Sequence, residues 1–413
     1  MKKIIAMLLT LAMAVGLLAG CGGSSGSAPA TAAPAAPAAE AAPAAEAAPA
    51  AEAAPEFNGE FRVGVVTYLS GAGKETGDRQ IAACEVAANK VNAEGGVNGA
   101  KLVLEYFDAG SGQQEAVNAV QLACNTDGLS AVVGMFQSNY AVAYSDAVRN
   151  AKIPCMCLGT SYNVRDQKNP YMWQPRVCDQ TTSEALARLC MEKGMTKPCI
   201  MWMTNASGQS QHDACIAYFE EHGIEVGLDL GFNVDTETDY TPIVTQFLNS
   251  DCDGIVIIAQ SVNGAPEIVT LLNQYGYDMT KAAGVSSVFS ADLTDMVGDM
   301  VSGMFGVAEF SPRMDRVGTQ NYVSAFTSIQ NTFTPAWTDV VTHDAILLIA
   351  EGARLSGDNS PEGVNKGLEK LSNFTEGALC DYNYYEDHCL GSSLLVSEYE
   401  GSNIVFTDII SAR

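Results

Sequence analysis

Five short stretches hold most of the side chains that could bind a small polar solute: Thr67–Lys74, Met135–Asn139, Gly159–Tyr162, Thr204–Gly208 and Gln260–Asn263. Each follows an apolar run and carries Ser, Thr, Asn or Gly. Hydroxyls, amides and backbone N–H groups at a helix start donate hydrogen bonds to an anion or carboxylate. Any single loop of this kind also meets the ordinary need of a helix for a Ser or Asn cap. Five of them on one crevice point further, to solute capture. None sets a nucleophile beside a base, and no GxSxG occurs. The stretch Ser70 to Thr76 fails as a phosphate loop, because Tyr68 stands where glycine is required and Glu75 where Ser or Thr is required. The four histidines, His212, His222, His343 and His388, lack metal-ligand spacing. His212 and His222 read as solvent-facing positions of one helix. His343-Asp344, inside an apolar helix, reads as a hydrogen-bonded core pair.

Such loops need a scaffold that aligns them. Phe61–Val66, Lys101–Phe107, Ala131–Val133 and Ile153–Leu158 read as strands. Helical stretches over 78–92, 113–126 and 138–150 separate them. This alternation predicts a parallel sheet covered on both faces. After a break at Asn169-Pro170 to Cys178 the alternation restarts. Helices over 181–193, 209–222, 241–249 and 267–275 then alternate with strands at 199–203, 225–231, 254–259 and near Gly284. The fold class is therefore α/β with two Rossmann-like lobes. Helices over 321–330, 337–355 and 362–371 follow, and the apolar one at 337–355 needs a sheet face to bury against, which places this group back on the first lobe. In open α/β sheets the ligand sits beyond the carboxyl ends of the strands, where these loops lie.

The chain has 413 residues and a formal charge of −26, which disfavours nucleic acid or an anionic lipid surface as a partner and chiefly serves solubility. Lys2, Lys3 and the apolar run Ile4–Leu18 read as a signal peptide over 1–20. Leu18-Ala-Gly-Cys21 resembles the lipobox of bacterial lipoproteins, which implies a lipid-bearing Cys21. Residues 21–56 then form a Gly/Ser and Ala/Pro/Glu-rich tether, in which a recurring Pro blocks a continuous helix. Of the 12 cysteines, Cys84, Cys124, Cys190, Cys199 and Cys215 fall in apolar periodic segments and read as buried thiols. Cys380 and Cys389 flank a tyrosine-rich turn and are the pair best placed for a disulfide.

The order of lipobox, tether, Phe61-Arg-Val-Gly-Val-Val-Thr-Tyr-Leu-Ser-Gly71, Gly77, Asn89-Lys-Val-Asn-Ala-Glu-Gly-Gly96 and Gly99 resembles the leucine/isoleucine/valine-binding proteins of ABC importers. The resemblance covers nearly all of residues 57–413. It implies the type I periplasmic-binding fold, two lobes joined by three crossovers near Val177, Glu309 and Tyr384 and closing on a ligand. The N-terminal lobe would take 57–177 and 309–383, and the C-terminal lobe 178–308 and 384–413. The resemblance also implies Ser138 on the ligand carboxylate, preceded by Phe136 and Gln137, with Gly159 and Ser161 adding an amide and a hydroxyl. Thr76 falls where the family often has an aromatic residue, and Ser207 and Ser261 where it often has tyrosines. The family glutamate that meets a ligand ammonium aligns near Ser286, with no acid there; Asp239 and Asp292 are alternatives. A carboxylate or amide solute without an amine needs no such acid.

These readings converge on a lipid-anchored, monomeric, extracytoplasmic binding protein that uses no cofactor or metal and hands a small solute to permease and ATPase subunits. A ligand-sensing receptor of the same fold is the alternative. Enzymatic turnover is not expected.

Overall fold

Apolar β-branched runs can bury both faces only in a sheet flanked by helices. The computed structural model describes residues 55–411 and builds that arrangement twice. The signal-like segment, Cys21 and the tether up to residue 54 lie outside the described residues.

The first lobe runs β1 (Glu60–Thr67), α1 (Lys74–Ala93), β2 (Lys101–Asp108), α2 (Gln113–Cys124), β3 (Leu129–Val133), α3 (Ser138–Ala151), β4 (Cys155–Met156), α4 (Tyr162–Asp166) and β5 (Met172–Trp173). Its parallel sheet has the order β2-β1-β3-β4-β5. The second lobe begins with α5 (Asp179–Glu192), β6 (Pro198–Met203), α6 (Ala206–Glu221), β7 (Leu228–Phe232) and α7 (Thr241–Leu248). It continues with β8 (Gly254–Ile258), α8 (Ala265–Gln274), β9 (Ala282–Gly284), α9 (Ala291–Val297) and β10 (Phe305–Ala308). The chain then returns through α10 (Val317–Ile329), α11 (Trp337–Ser356) and α12 (Pro361–Leu368), and closes with β11 (Ser393–Glu400) and β12 (Asn403–Ser411). The second sheet is β12-β11-β10-β9-β8-β6-β7, with β11 and β12 antiparallel. This final hairpin escapes a pattern reading because a bulge between Val396 and Ser397 breaks its alternation.

One face of the first sheet packs on α1, α10, α11 and α12, and the other on α2 and α3. The second sheet has its own core. Helix α11 is buried along nearly its whole length, as its Ile, Leu and Ala content requires. Core membership locates the passages between lobes. Trp173 belongs to the first core and Val177 to the second; Ala308 belongs to the second and Phe310 to the first. Leu390 packs in the first core and β11 starts at Ser393, so the third passage lies at 391–392. Tyr384 instead packs against the first core beside Trp173, 6.2 Å between ring centroids.

Two local expectations need correction. His212 is buried, because α6 lays it on the indole of Trp202, 4.1 Å between centroids, with its Nε2 3.0 Å from Asp229. Cys380 and Cys389 are not bridged: Cys380 faces Tyr382 and the Ser392 backbone, while the Cys389 thiol donates to Gln174 Oε1 at 3.2 Å. Pairing of Tyr382 with Gly391 turns the two sulfurs to different neighbours. All the described cysteines except the half-buried Cys252 are buried. His343 and Asp344 do form a core pair, 2.7 Å apart, with Asp344 also accepting from Ala378 N, Leu379 N and Tyr382 OH.

Candidate functional site

The loop after β3 ends at Ser138, the first residue of α3. Its buried Oγ accepts from the backbone N–H groups of Thr160 (3.1 Å) and Ser161 (3.2 Å), which pins the loop after β4. Gly159 is required there, since a Cβ would stand 2.8 Å from Ser138 Oγ and 3.0 Å from its Cα. Ser161 caps α4 by accepting from Asn163 N and donates its hydroxyl to Ala206 O, 2.9 Å away on the second lobe. Tyr162 extends the bridge, N–H to Ser210 Oγ at 3.1 Å and hydroxyl to Asp213 at 3.0 Å.

Asp179, at the start of α5, is the hub of this region. Its carboxylate accepts from Ser207 Oγ and Gln211 Nε2, both at 2.9 Å, and from the Thr160 hydroxyl. Burial pushes its carboxyl up to about 6, against the lowering effect of these hydrogen bonds and of Arg176. Ser138, Gly159, Ser161 and Ser207 therefore meet in one polar network between the lobes. Thr76 and Ser261 do not join it. Thr76 sits half-buried in the first turn of α1, and Ser261 lies in the tight turn after β8 that pairs Gln260 with Asn263. The Thr204–Gly208 loop does supply a cap, Asn205 Oδ1 accepting from Gly208 N at 2.8 Å.

An aromatic wall stands beside the network. Tyr68, Phe136 and Trp337 meet edge to face in series, with centroids 6.1 and 5.9 Å apart. Gln137 donates to the Tyr68 hydroxyl, while its own Oε1 is buried without a hydrogen-bond partner. Gln211 Oε1 is in the same condition. Both atoms are acceptors, so they mark places where an N–H or O–H of an incoming group gains a hydrogen bond. Trp337 also lines a cavity of about 170 Å³ together with Phe289, Ser290 and Thr294 of the second lobe.

Two arginines carry the charge. Arg176 grips Glu309 with two bonds of 2.7 and 2.6 Å, donates to Leu158 O, and lies 4.2 Å over the Trp337 ring. Ser286 donates to the same Glu309 at 3.0 Å, so an acid does stand beside Ser286, already matched by Arg176. Arg79 of α1 lies 3.5 Å from Asp339 of its own lobe and 3.5 Å from Asp292 across the cleft. Burial pushes Asp339 up to about 6 despite Arg79. Asp239 is exposed, accepts from Thr241 N at 2.9 Å just before α7, and takes no part. The sequence does not mark Arg79, Arg176, Asp179, Glu309 or Trp337 as site residues, although Glu309 falls at an expected crossover. A signal existed in Gln174-Pro-Arg-Val-Cys-Asp179, where charge sits within the break between two alternating patterns.

The sequence pattern of the family described as periplasmic binding protein matches residues 60–401. A Leu/Ile/Val-binding protein homolog 1 of Brucella abortus is 23% identical over 330 residues, covering 78% of this chain and 86% of that protein. A leucine-binding protein from Thermotoga maritima superposes with a TM-score of 0.76 at 18% identity, over 85% of this chain and 98% of the other. A solute-binding protein of an ABC transporter from Rhodopseudomonas palustris HaA2, in complex with p-hydroxybenzoic acid, gives 0.76 at 16% identity, over 86% and 98%. With two parallel-sheet lobes, three passages between them and a family match over most of its length, this chain belongs to the periplasmic binding proteins.

Proposed function

We propose that this protein is the extracytoplasmic solute-binding component of an ABC importer, that Cys21 carries its lipid anchor, and that permease and ATPase subunits receive its solute. The hinge comprises residues 174–178, 309–310 and 390–392. The solute lies between the lobes, its carboxylate or amide at Ser138, Gly159, Ser161 and Ser207, its apolar body against Tyr68, Phe136 and Trp337. Thr76, Gln137 and Ser261 edge the cleft. The observation that carries this reading is that the hydroxyl and amide network bridging the lobes adjoins the aromatic wall, with Phe136 and Gln137 leading directly to Ser138. A carboxylate entering such a site must recover the hydrogen bonds it gave to water, and charge-assisted bonds from hydroxyls and backbone amides do so. Among the described residues, the acids near the cleft are matched by Arg176 and Arg79 or held by hydroxyl and amide donors, which leaves none of these dedicated to a ligand ammonium. This favours a carboxylate with an aromatic or branched body over a general α-amino acid. The Brucella and Thermotoga relatives named for branched-chain ligands and the p-hydroxybenzoate complex bracket that choice.

Thermal-shift and calorimetric screening should compare aromatic carboxylates, branched aliphatic carboxylates, their amides and the α-amino acids. Binding is expected from a carboxylate with an apolar body. A response confined to sugars or to cations would remove the assignment.

A further inference from the structure

Two buried thiols lie where the first and third passages run side by side. Residues 174 and 389 pair as neighbouring extended segments, with Gln174 N donating to His388 O and Leu390 N to Gln174 O, both at 2.8 Å. One step on, the segments are so close that a Cβ on Gly391 would fall 2.6 Å from Val177 N. Cys178, next to Val177, opens the second lobe, and Cys389 precedes Leu390 of the first core. The two thiols are hydrogen-bonded to each other. We propose that Cys178 and Cys389 form a reversible disulfide that staples the hinge and alters solute affinity.

Three further features support this. The hydrogen bond from Cys389, aided by Arg165 and Thr181, lowers the Cys178 thiol to about 4 against the opposing effect of burial, while Cys389 is held well above its ordinary value. A thiolate is the attacking species in exchange, so the pair has a distinct nucleophile and a resolving thiol. A cavity of about 380 Å³ is lined by Arg165, Gln174 and His388, neighbours of the two thiols; it stops short of both buried sulfurs, so a small oxidant reaches them from there only as the hinge opens. Finally, Gln174 connects the thiols to the cleft: the single Cys389 S–H is shared between Cys178 and Gln174 Oε1, 3.2 Å away, and Gln174 Nε2 donates to Gly159 O at 2.7 Å. Loss of the Cys389 proton removes the donor that orients this amide, and so disturbs the loop holding Ser161.

The oxidant is a small-molecule disulfide. The Cys178 thiolate attacks one of its sulfurs, forming a mixed disulfide and releasing one thiolate. Cys389, giving its proton to that leaving group or to water, attacks the Cys178 sulfur and releases the second. Two protein thiols become one disulfide, and the two electrons reduce the reagent to two thiols.

Full-length protein, folded and without solute, should be treated with glutathione disulfide and mapped by mass spectrometry. The expected product is an intramolecular 178–389 cross-link with loss of two hydrogens, reversed by dithiothreitol and absent from Cys389→Ala and Cys178→Ala. A cross-link at other cysteines, or none under these conditions, overturns the proposal. This measurement involves no ligand, so it stands apart from the functional reading. The effect on affinity does rest on that reading, and is read on the solute found by screening: reduced and oxidised wild type should differ by about fivefold or more in Kd. Equal affinities with the cross-link mapped overturn the coupling to the cleft.

Discussion

Ser138 shows how one hydroxyl can serve both fold and ligand. Its oxygen accepts from two buried amides of the facing loop. Ser138→Ala strands both donors, and each orphaned buried group costs about 1–3 kcal/mol. The variant is therefore expected to unfold at lower urea and to bind its solute at least about tenfold more weakly, measured by denaturation and calorimetry; unchanged affinity would displace Ser138 from the site. Asp179 and Asp339 make a second prediction, in pH. Each is pushed from the ordinary value near 3.8 up to about 6. The folded state thus holds these protons more tightly than the unfolded chain. Their contribution to stability is complete below the unfolded value and is lost as pH climbs through about 6, on the order of 2–3 kcal/mol for each. Urea unfolding between about pH 4 and pH 7 checks this, and Asp179→Asn should flatten part of the decline.

At the scale of elements, the site depends on close helix contacts that only glycine permits. Gly77 in α1 and Gly208 in α6 lie so near the carbonyls of Tyr68 and Met203 that a Cβ would stand 1.7 and 1.8 Å from those oxygens. Both glycines sit where the helix that follows a lobe's first strand docks back on the end of that strand. The same holds behind the site, where Gly367 of α12 would place a Cβ 1.7 Å from Gly352 O of α11. Helix α11 carries Trp337 at its start. Gly367→Ala must push α12 from α11, an overpacking that costs about 1–3 kcal/mol or more. Lower stability with the same ligand preference is expected from denaturation and screening, because the displaced end of α11 is the one far from Trp337. A variant as stable as the wild type would show that α12 is free to shift.

For the whole molecule the question is what holds the lobes relative to each other. The passages at 177 and 309 are joined by the Arg176–Glu309 pair, both ends buried. Ser161 to Ala206, Tyr162 to Ser210 and Arg79 to Asp292 also cross the cleft. A solute that binds between the lobes shifts the population toward the closed form by as much as it prefers that form. Small-angle scattering should show the radius of gyration falling on addition of the solute found by screening. Glu309→Gln, which leaves Arg176 buried without its counter-charge, should weaken that response. An unchanged radius at saturation would mean that binding does not close the cleft.

Much of this architecture is legible in residue order because periodicity is local. Runs such as Phe61–Val66 and Ala131–Val133 can be buried only one way, and the loops that follow them reach the cleft whatever the details of packing. That reasoning gave the loops that hold Ser138, Gly159, Ser161 and Ser207, which the structure brings into one network, and Ser261, which it leaves outside; the family resemblance picked these residues within the loops and added Thr76, which also lies outside. Tertiary structure alone decided the partners. Arg176 and Glu309 are 133 positions apart, and Cys178 meets Cys389 rather than Cys380. The aromatic wall likewise joins Tyr68, Phe136 and Trp337 from three distant segments. Charges, thiols and rings find each other through the crossing of chain passages, and neither spacing nor composition records which passages lie side by side.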